Sequence, residues 1–216
     1  MLENIVIIAL SVILSAIAFV LMIRDFRNEN KEYKIDKVVI AYSVIMVALV
    51  VYITCLLQFK YDNHVVYNAK RMCLLAIMWP LAFIDFKTYR IPNEFVIMGL
   101  VCRAIIVPFE FLLVDGQVMS VILADLIAAG ALFLASILCK LVIKDSIGAG
   151  DIKLFLVMGL MLGLDGIWSS IFMALIVSFF IICFLLLTKK KSRKDVIPFG
   201  PALVIGTFIS VYFTGM

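Results

Sequence analysis

Ile167-Trp168-Ser169-Ser170-Ile171-Phe172-Met173-Ala174-Leu175-Ile176-Val177-Ser178-Phe179-Phe180-Ile181-Ile182-Cys183-Phe184-Leu185-Leu186-Leu187 is a run of 21 residues without a charge, followed by Lys189, Lys190, Lys191, Arg193 and Lys194. At about 1.5 Å per helical residue, such a stretch spans a hydrocarbon core about 30 Å thick. Comparable runs lie on either side of it: Asn4–Ile23, Val38–Gln58, Met72–Phe86, Phe95–Val114, Val118–Cys139, Asp151–Leu164 and Val196–Thr214. Of the 216 residues, 65% are hydrophobic and 16% charged, whereas a soluble domain carries about 45–50% and about 25%. No globular core hides that excess, so lipid is the solvent for most of the chain. A cytosolic enzyme, a secreted domain, a nucleic-acid-binding module and a disordered chain are all excluded. The expected fold is all-α, a polytopic membrane protein of about eight transmembrane helices with no room for a separate soluble domain.

Charge placement gives an orientation. Cytoplasmic loops of membrane proteins are rich in Lys and Arg. Alternate connections between the eight runs hold Arg24, Arg27, Lys31, Lys34 and Lys37; Lys87 and Arg90; Lys140, Lys144 and Lys153; and the cluster Lys189–Lys194. Together these are 15 of the 19 basic residues. Lys60, Lys70 and Arg71 fall on the other side, and Arg103 within a run. Both termini are therefore expected outside. The first run lacks a basic leader and is followed by Arg24 and Arg27, which marks it as a permanent anchor rather than a cleaved signal. The five-residue basic cluster also suits contact with anionic headgroups.

Cysteine and histidine usage narrows the chemistry. Cys55, Cys73, Cys102, Cys139 and Cys183 stand singly in apolar runs, and His64 is the one histidine. Neither a zinc site of three or four His and Cys ligands nor a Ser-His-Asp triad is available, and no metal is expected. Two acids stand out because ionisable groups at the edge of a bilayer are costly. Asp85 closes one run and opens the string Asp85-Phe86-Lys87-Thr88-Tyr89-Arg90-Ile91-Pro92-Asn93. Asp151 opens another, in Gly148-Ala149-Gly150-Asp151-Ile152-Lys153. Both fall at the cytoplasmic boundary, where a pair of carboxylates sharing one proton activates water for peptide hydrolysis without metal or nucleophile. Gly148 and Gly150 let backbone approach Asp151 closely. From spacing alone, Asp151 serves equally as a first-turn helix acid, and Asp85 as a boundary charge paired with Lys87 or Arg90.

These strings resemble the paired signatures of the GxGD intramembrane aspartic proteases, specifically the type IV prepilin peptidase family. One signature is an Asp followed by a basic turn ending in Ile91-Pro92-Asn93. The other is Gly148-x-Gly150-Asp151-x-Lys153. A third family-like stretch, Ile197-Pro198-Phe199-Gly200-Pro201-Ala202-Leu203, opens the last run. The resemblance covers about residues 72–214 and implies that Asp85 and Asp151 are catalytic. Ile91, Pro92, Asn93, Gly148, Gly150, Lys153, Pro198, Gly200 and Pro201 are the supporting motif residues. It implies two N-terminal helices over residues 1–71 and a six-helix catalytic core over 72–216. It further implies cleavage of the short basic leader from type IV prepilin-like precursors at the cytoplasmic face of the cell membrane. Many relatives also methylate the new N-terminus and carry two CxxC pairs in a cytoplasmic insertion. This chain lacks those pairs and resembles the short, peptidase-only form, with no cofactor expected.

Two other readings compete. Gly-x-Gly-Asp with Pro201-Ala202-Leu203 also suits a presenilin-like protease of other membrane peptides, but Ile84 precedes the first Asp where that class has Tyr. A small proton- or ion-coupled transporter using Asp125, Asp151 and Arg103 leaves the Ile91-Pro92-Asn93 turn unexplained. Arg103 and Asp125 fall at similar depths in neighbouring runs, so an intramembrane ion pair between them is expected, with a direct catalytic role for Asp125, or an early end of the fourth helix at Pro108 and Glu110 that leaves Arg103 near the outer surface, as the alternatives.

Overall fold

The computed structural model describes residues 2–61, 63–114, 116–143, 147–190, 195 and 197–215. They form α1 (Leu2–Glu29), α2 (Lys37–Phe59), α3 (Val65–Thr88), α4 (Asn93–Leu113), α5 (Val118–Val142), α6 (Ala149–Leu187) and α7 (Gly200–Thr214), with no strand among the described residues. Five of these helices, α1, α2, α4, α5 and α6, are long and apolar enough to cross a membrane. Lys191–Lys194 lie outside the described residues.

α3 is the axis of the bundle. Every residue from Met72 to Asp85 is buried, as expected of a helix that is apolar on all sides. α1, α2, α4, α6 and α7 all pack against it. The run beginning at Met72 starts too late, because the helix already begins at Val65, where the His64 side chain accepts the Val66 N–H at 3.4 Å.

Among the described residues the expected eight helices appear as seven elements, because one of them, α6, joins two helical arms across a kink. The runs Asp151–Leu164 and Ile167–Leu187 belong to one element of 39 residues, α6, interrupted at Gly163 (φ 68°, ψ −171°). A straight helix of that length measures about 58 Å, roughly twice the hydrocarbon thickness, so the break is what fits α6 into the bundle. Residues 149–162 lie along α5, and those from 164 onward lie along α7. A Cβ on Gly159 would sit 2.5 Å from Ala129 Cα, and one on Gly206 would sit 2.4 Å from Ala174 Cα. Ser169 and Ser210 share a hydroxyl hydrogen bond of 2.6 Å across the second seam. No loop separates the arms because a single glycine in the left-handed region redirects the backbone.

A buried ion network ties α3, α4 and α5 together at the end remote from Asp85. Arg103 donates to Asp125 Oδ2 at 2.7 Å and to Glu110 Oε2 at 2.8 Å. Lys70 Nζ contacts Asp125 Oδ2 at 2.5 Å and lies 3.2 Å from Glu110 Oε1. The Arg103–Asp125 pair is the one expected, but it is half of the structure. Lys70, read as a connection residue, lies within α3, and α4 continues through Pro108 and Glu110 to Leu113. Two cations face two anions, so charge balances where water is scarce.

Candidate functional site

Asp85 sits in the last turn of α3. The helix stops at Tyr89, whose backbone is left-handed (φ 55°) and whose N–H returns to the Asp85 carbonyl at 2.9 Å. The chain then passes through Arg90 and Ile91 to Pro92, which caps α4 in an extended conformation. A residue before proline avoids the helical region, so Ile91-Pro92 forces a clean break between α3 and α4. The turn therefore lies directly beside Asp85.

Asp151 occupies the first turn of α6, with Gly148 at the N-cap. Its half-buried carboxylate faces the Gly148 backbone N–H and is close enough to Asp85 for their charges to interact. The two acids stand 66 positions apart in sequence (151 − 85). They come near each other because the turn after α3 packs against the start of α6.

The motif residues explain this packing. A Cβ on Gly150 would lie 2.8 Å from Ile91 Cβ, so only glycine lets the α6 terminus close on the Ile91-Pro92 turn. Lys153 Nζ donates to Asn93 Oδ1 at 2.8 Å. Ile91-Pro92-Asn93 and Gly150-Asp151-Ile152-Lys153 are thus two sides of one joint, apolar at Ile91 and polar at Asn93. Gly148 is less tightly confined, since a Cβ there would meet only the tip of the Asp151 side chain, at 3.0 Å from Oδ2.

The C-terminal stretch completes the site from a third direction. Asp85 is 6% exposed, and its Oδ2 accepts the Gly200 backbone N–H at 2.8 Å. Gly200 opens α7, where free N–H groups make a partial positive charge that suits a carboxylate. Pro201, in the first turn of α7, lacks an N–H that would have no helical partner there. Phe199 caps α7 and its ring meets Phe155 edge-on at 6.3 Å, fastening α7 to α6. Pro198 is half-buried just before this cap.

Two aspects of the site escaped the sequence reading. Gly200 was a motif residue without a role, although a Gly-Pro pair opening a helix signals exposed backbone donors. Arg90 was a candidate partner for Asp85, yet it pairs instead with Asp25 and Glu29 of α1. Among the described residues, no group of three or more His, Cys, Asp or Glu is placed to hold a metal ion. What the site offers is a pair of carboxylates, one hydrogen-bonded by a helix terminus, on three helices that converge at one end of the bundle.

The model of the type IV leader peptidase family matches residues 72–187. The chain belongs to that family. A relative, the prepilin leader peptidase/N-methyltransferase of Bacillus subtilis (strain 168), is 31% identical over 86 residues. The match covers 40% of this chain and 34% of the relative, so the chain spans about a third of that protein's length. No solved structure matches the chain. As a type IV leader peptidase family member, it combines a peptidase signature with an all-helical, membrane-compatible fold.

Proposed function

We propose that this family member is an aspartic endopeptidase that removes the short basic leader of type IV prepilin-like precursors, with Asp85 and Asp151 as its catalytic pair. The observation that carries the reading is the joint between the end of α3 and the start of α6, Gly150 against Ile91 and Lys153 on Asn93, with the Gly200 amide fixed on Asp85. One carboxylate, ionised, takes a proton from a water molecule as that water attacks the scissile carbonyl carbon. The other, protonated, donates to the carbonyl oxygen, giving a neutral tetrahedral diol. Collapse of the diol breaks the C–N bond, its oxygen proton returns to a carboxylate, and the leaving amine takes a proton from the pair. Two carboxyls and one shared proton suffice, and neither metal nor methyl donor enters.

α1 and α2 supply two N-terminal membrane helices, and the chain from α3 onward supplies the core that carries the pair. In this reading the two arms of α6 count as separate crossings, so the chain is a multi-pass protein of the cell membrane with both termini outside and the pair at the cytoplasmic boundary. That side carries Lys87, Arg90 and Lys153, the basic residues nearest Asp85 and Asp151 in sequence. A basic leader stays cytoplasmic by the same rule, so the bond to be cut lies at the depth of the site. Co-expression with a prepilin-like substrate tests this: the wild-type protein shortens the substrate by its leader. A substrate panel left at full length by an abundant, membrane-inserted protein would refute the assignment.

A further inference from the structure

Arg90 stands between the two halves of the α3–α4 signature, five residues after Asp85 and one before Ile91. Its guanidinium turns away from the acids of the site and toward α1. Nη2 donates to Asp25 Oδ2 at 2.9 Å and lies 2.6 Å from Glu29 Oε1. A second bridge lies alongside, with Arg24 Nη2 at 3.7 Å from Glu94 Oε1. Asp25 is 7% exposed, so its partner cannot be exchanged for bulk water without cost. α1 precedes the family-matched segment, which begins at residue 72.

The gripped turn is the same one that α6 holds from its other side, through Gly150 on Ile91 and Lys153 on Asn93. We propose that Arg90 is a positioning residue: gripped by Asp25 and Glu29, it fixes the turn that sets the register of Asp85 against Asp151, making α1 part of the working site. A single guanidinium nitrogen, Nη2, bridges the two carboxylates, so the one positive charge of Arg90 holds both α1 acids against the turn. Arg90 acts through Ile91 and Asn93 rather than on the reacting atoms. Without the α1 grip, the turn is held from one side only, and reacting groups displaced by about 1 Å lose roughly 100-fold in rate.

The inference rests on the proposed peptidase function, and its test separates the two. Purified full-length protein is assayed on a prepilin-like peptide, and amide hydrogen exchange is followed in the same preparations. Arg90→Gln is expected to lower kcat about tenfold with KM within about twofold, because orientation rather than binding is lost. Arg90→Lys recovers part of that loss. Asp25→Asn with Glu29→Gln lowers kcat similarly, and adding Arg90→Gln to that pair lowers it little further. Exchange at residues 89–91 and 150–153 quickens several-fold in Arg90→Gln, since local opening becomes easier. Wild-type kcat in Arg90→Gln, losses that multiply across the triple variant, or unchanged exchange would each overturn the inference. A wild-type protein that cleaves no prepilin-like peptide refutes the function, and the exchange rates then decide the α1 grip alone.

Discussion

Gly200→Ala tests the third side of the site with a single methyl group. A Cβ there would lie 2.6 Å from Asp85 Oδ2, 2.9 Å from Asp85 Cβ and 3.1 Å from its Cγ. Non-bonded heavy atoms settle at about 3.5–4 Å, so the carboxylate and the α7 terminus must part by roughly 0.5–1 Å. Gly200 also precedes Pro201, whose ring disfavours a Cβ on a helical residue before it, so the methyl group presses on the α7 terminus from both sides. What is lost is the 2.8 Å hydrogen bond from the Gly200 N–H to a carboxylate that is 6% exposed. A hydrogen bond to a charged group contributes about 1.5–3 kcal/mol, and part of it survives by relaxation. Because the displaced group is one of the proposed reacting carboxylates, the expected effect is about a 10- to 100-fold loss of cleavage rate. Leader removal is followed on a gel over time after co-expression, with membrane accumulation measured in parallel. Wild-type cleavage by an equally abundant Gly200→Ala protein would refute the idea that the α7 terminus orients Asp85.

Further outcomes follow from the ion network and the donor set. Arg103→Ala leaves Lys70 facing both Glu110 and Asp125 and is expected to destabilise the protein by about 3–5 kcal/mol. Arg103→Ala with Asp125→Ala leaves Lys70 and Glu110 paired at 3.2 Å and recovers part of the loss in detergent thermal unfolding; a double variant less stable than either single would contradict this. Gly159→Ala pushes a methyl group to 2.5 Å from Ala129 Cα and is expected to cost about 1–3 kcal/mol by separating α5 from α6, measured in the same unfolding assay. Cleavage is expected to survive chelators, and loss of activity that zinc restores would overturn the metal-free mechanism.

The two acids were legible in the sequence because each stands at the junction of an apolar run and a Gly- or Pro-bearing turn. That junction is also what brings them together: Gly150 closes on Ile91, and Lys153 reaches Asn93. Arg103 and Asp125 were legible as a pair because both lie inside runs where an isolated charge is untenable. Lys70 and Glu110 were not. Reading boundaries from hydropathy ends a segment where charges begin, whereas α3 and α4 carry theirs inward because opposite charges await them. The count of elements failed for a related reason. Asp165-Gly166 separates the two runs in the sequence, but the structure joins their helical arms at a kink at Gly163 without a loop, so one element is counted where two were expected. The Arg90 grip was beyond reach for another reason. Its partners, Asp25 and Glu29, lie about 60 residues upstream, and no local spacing links them.

The central claim, that Asp85 and Asp151 together cleave a prepilin-like leader, is tested most directly by replacing each carboxylate with its isosteric amide. Asp85→Asn and Asp151→Asn preserve size and remove only the capacity to exchange a proton with water. Each is co-expressed with the substrate, and leader removal is read on a gel alongside the amount of inserted protease. The account predicts that both variants accumulate in the membrane as the wild type does and leave the substrate at full length. Leader removal at the wild-type rate by either variant would contradict it.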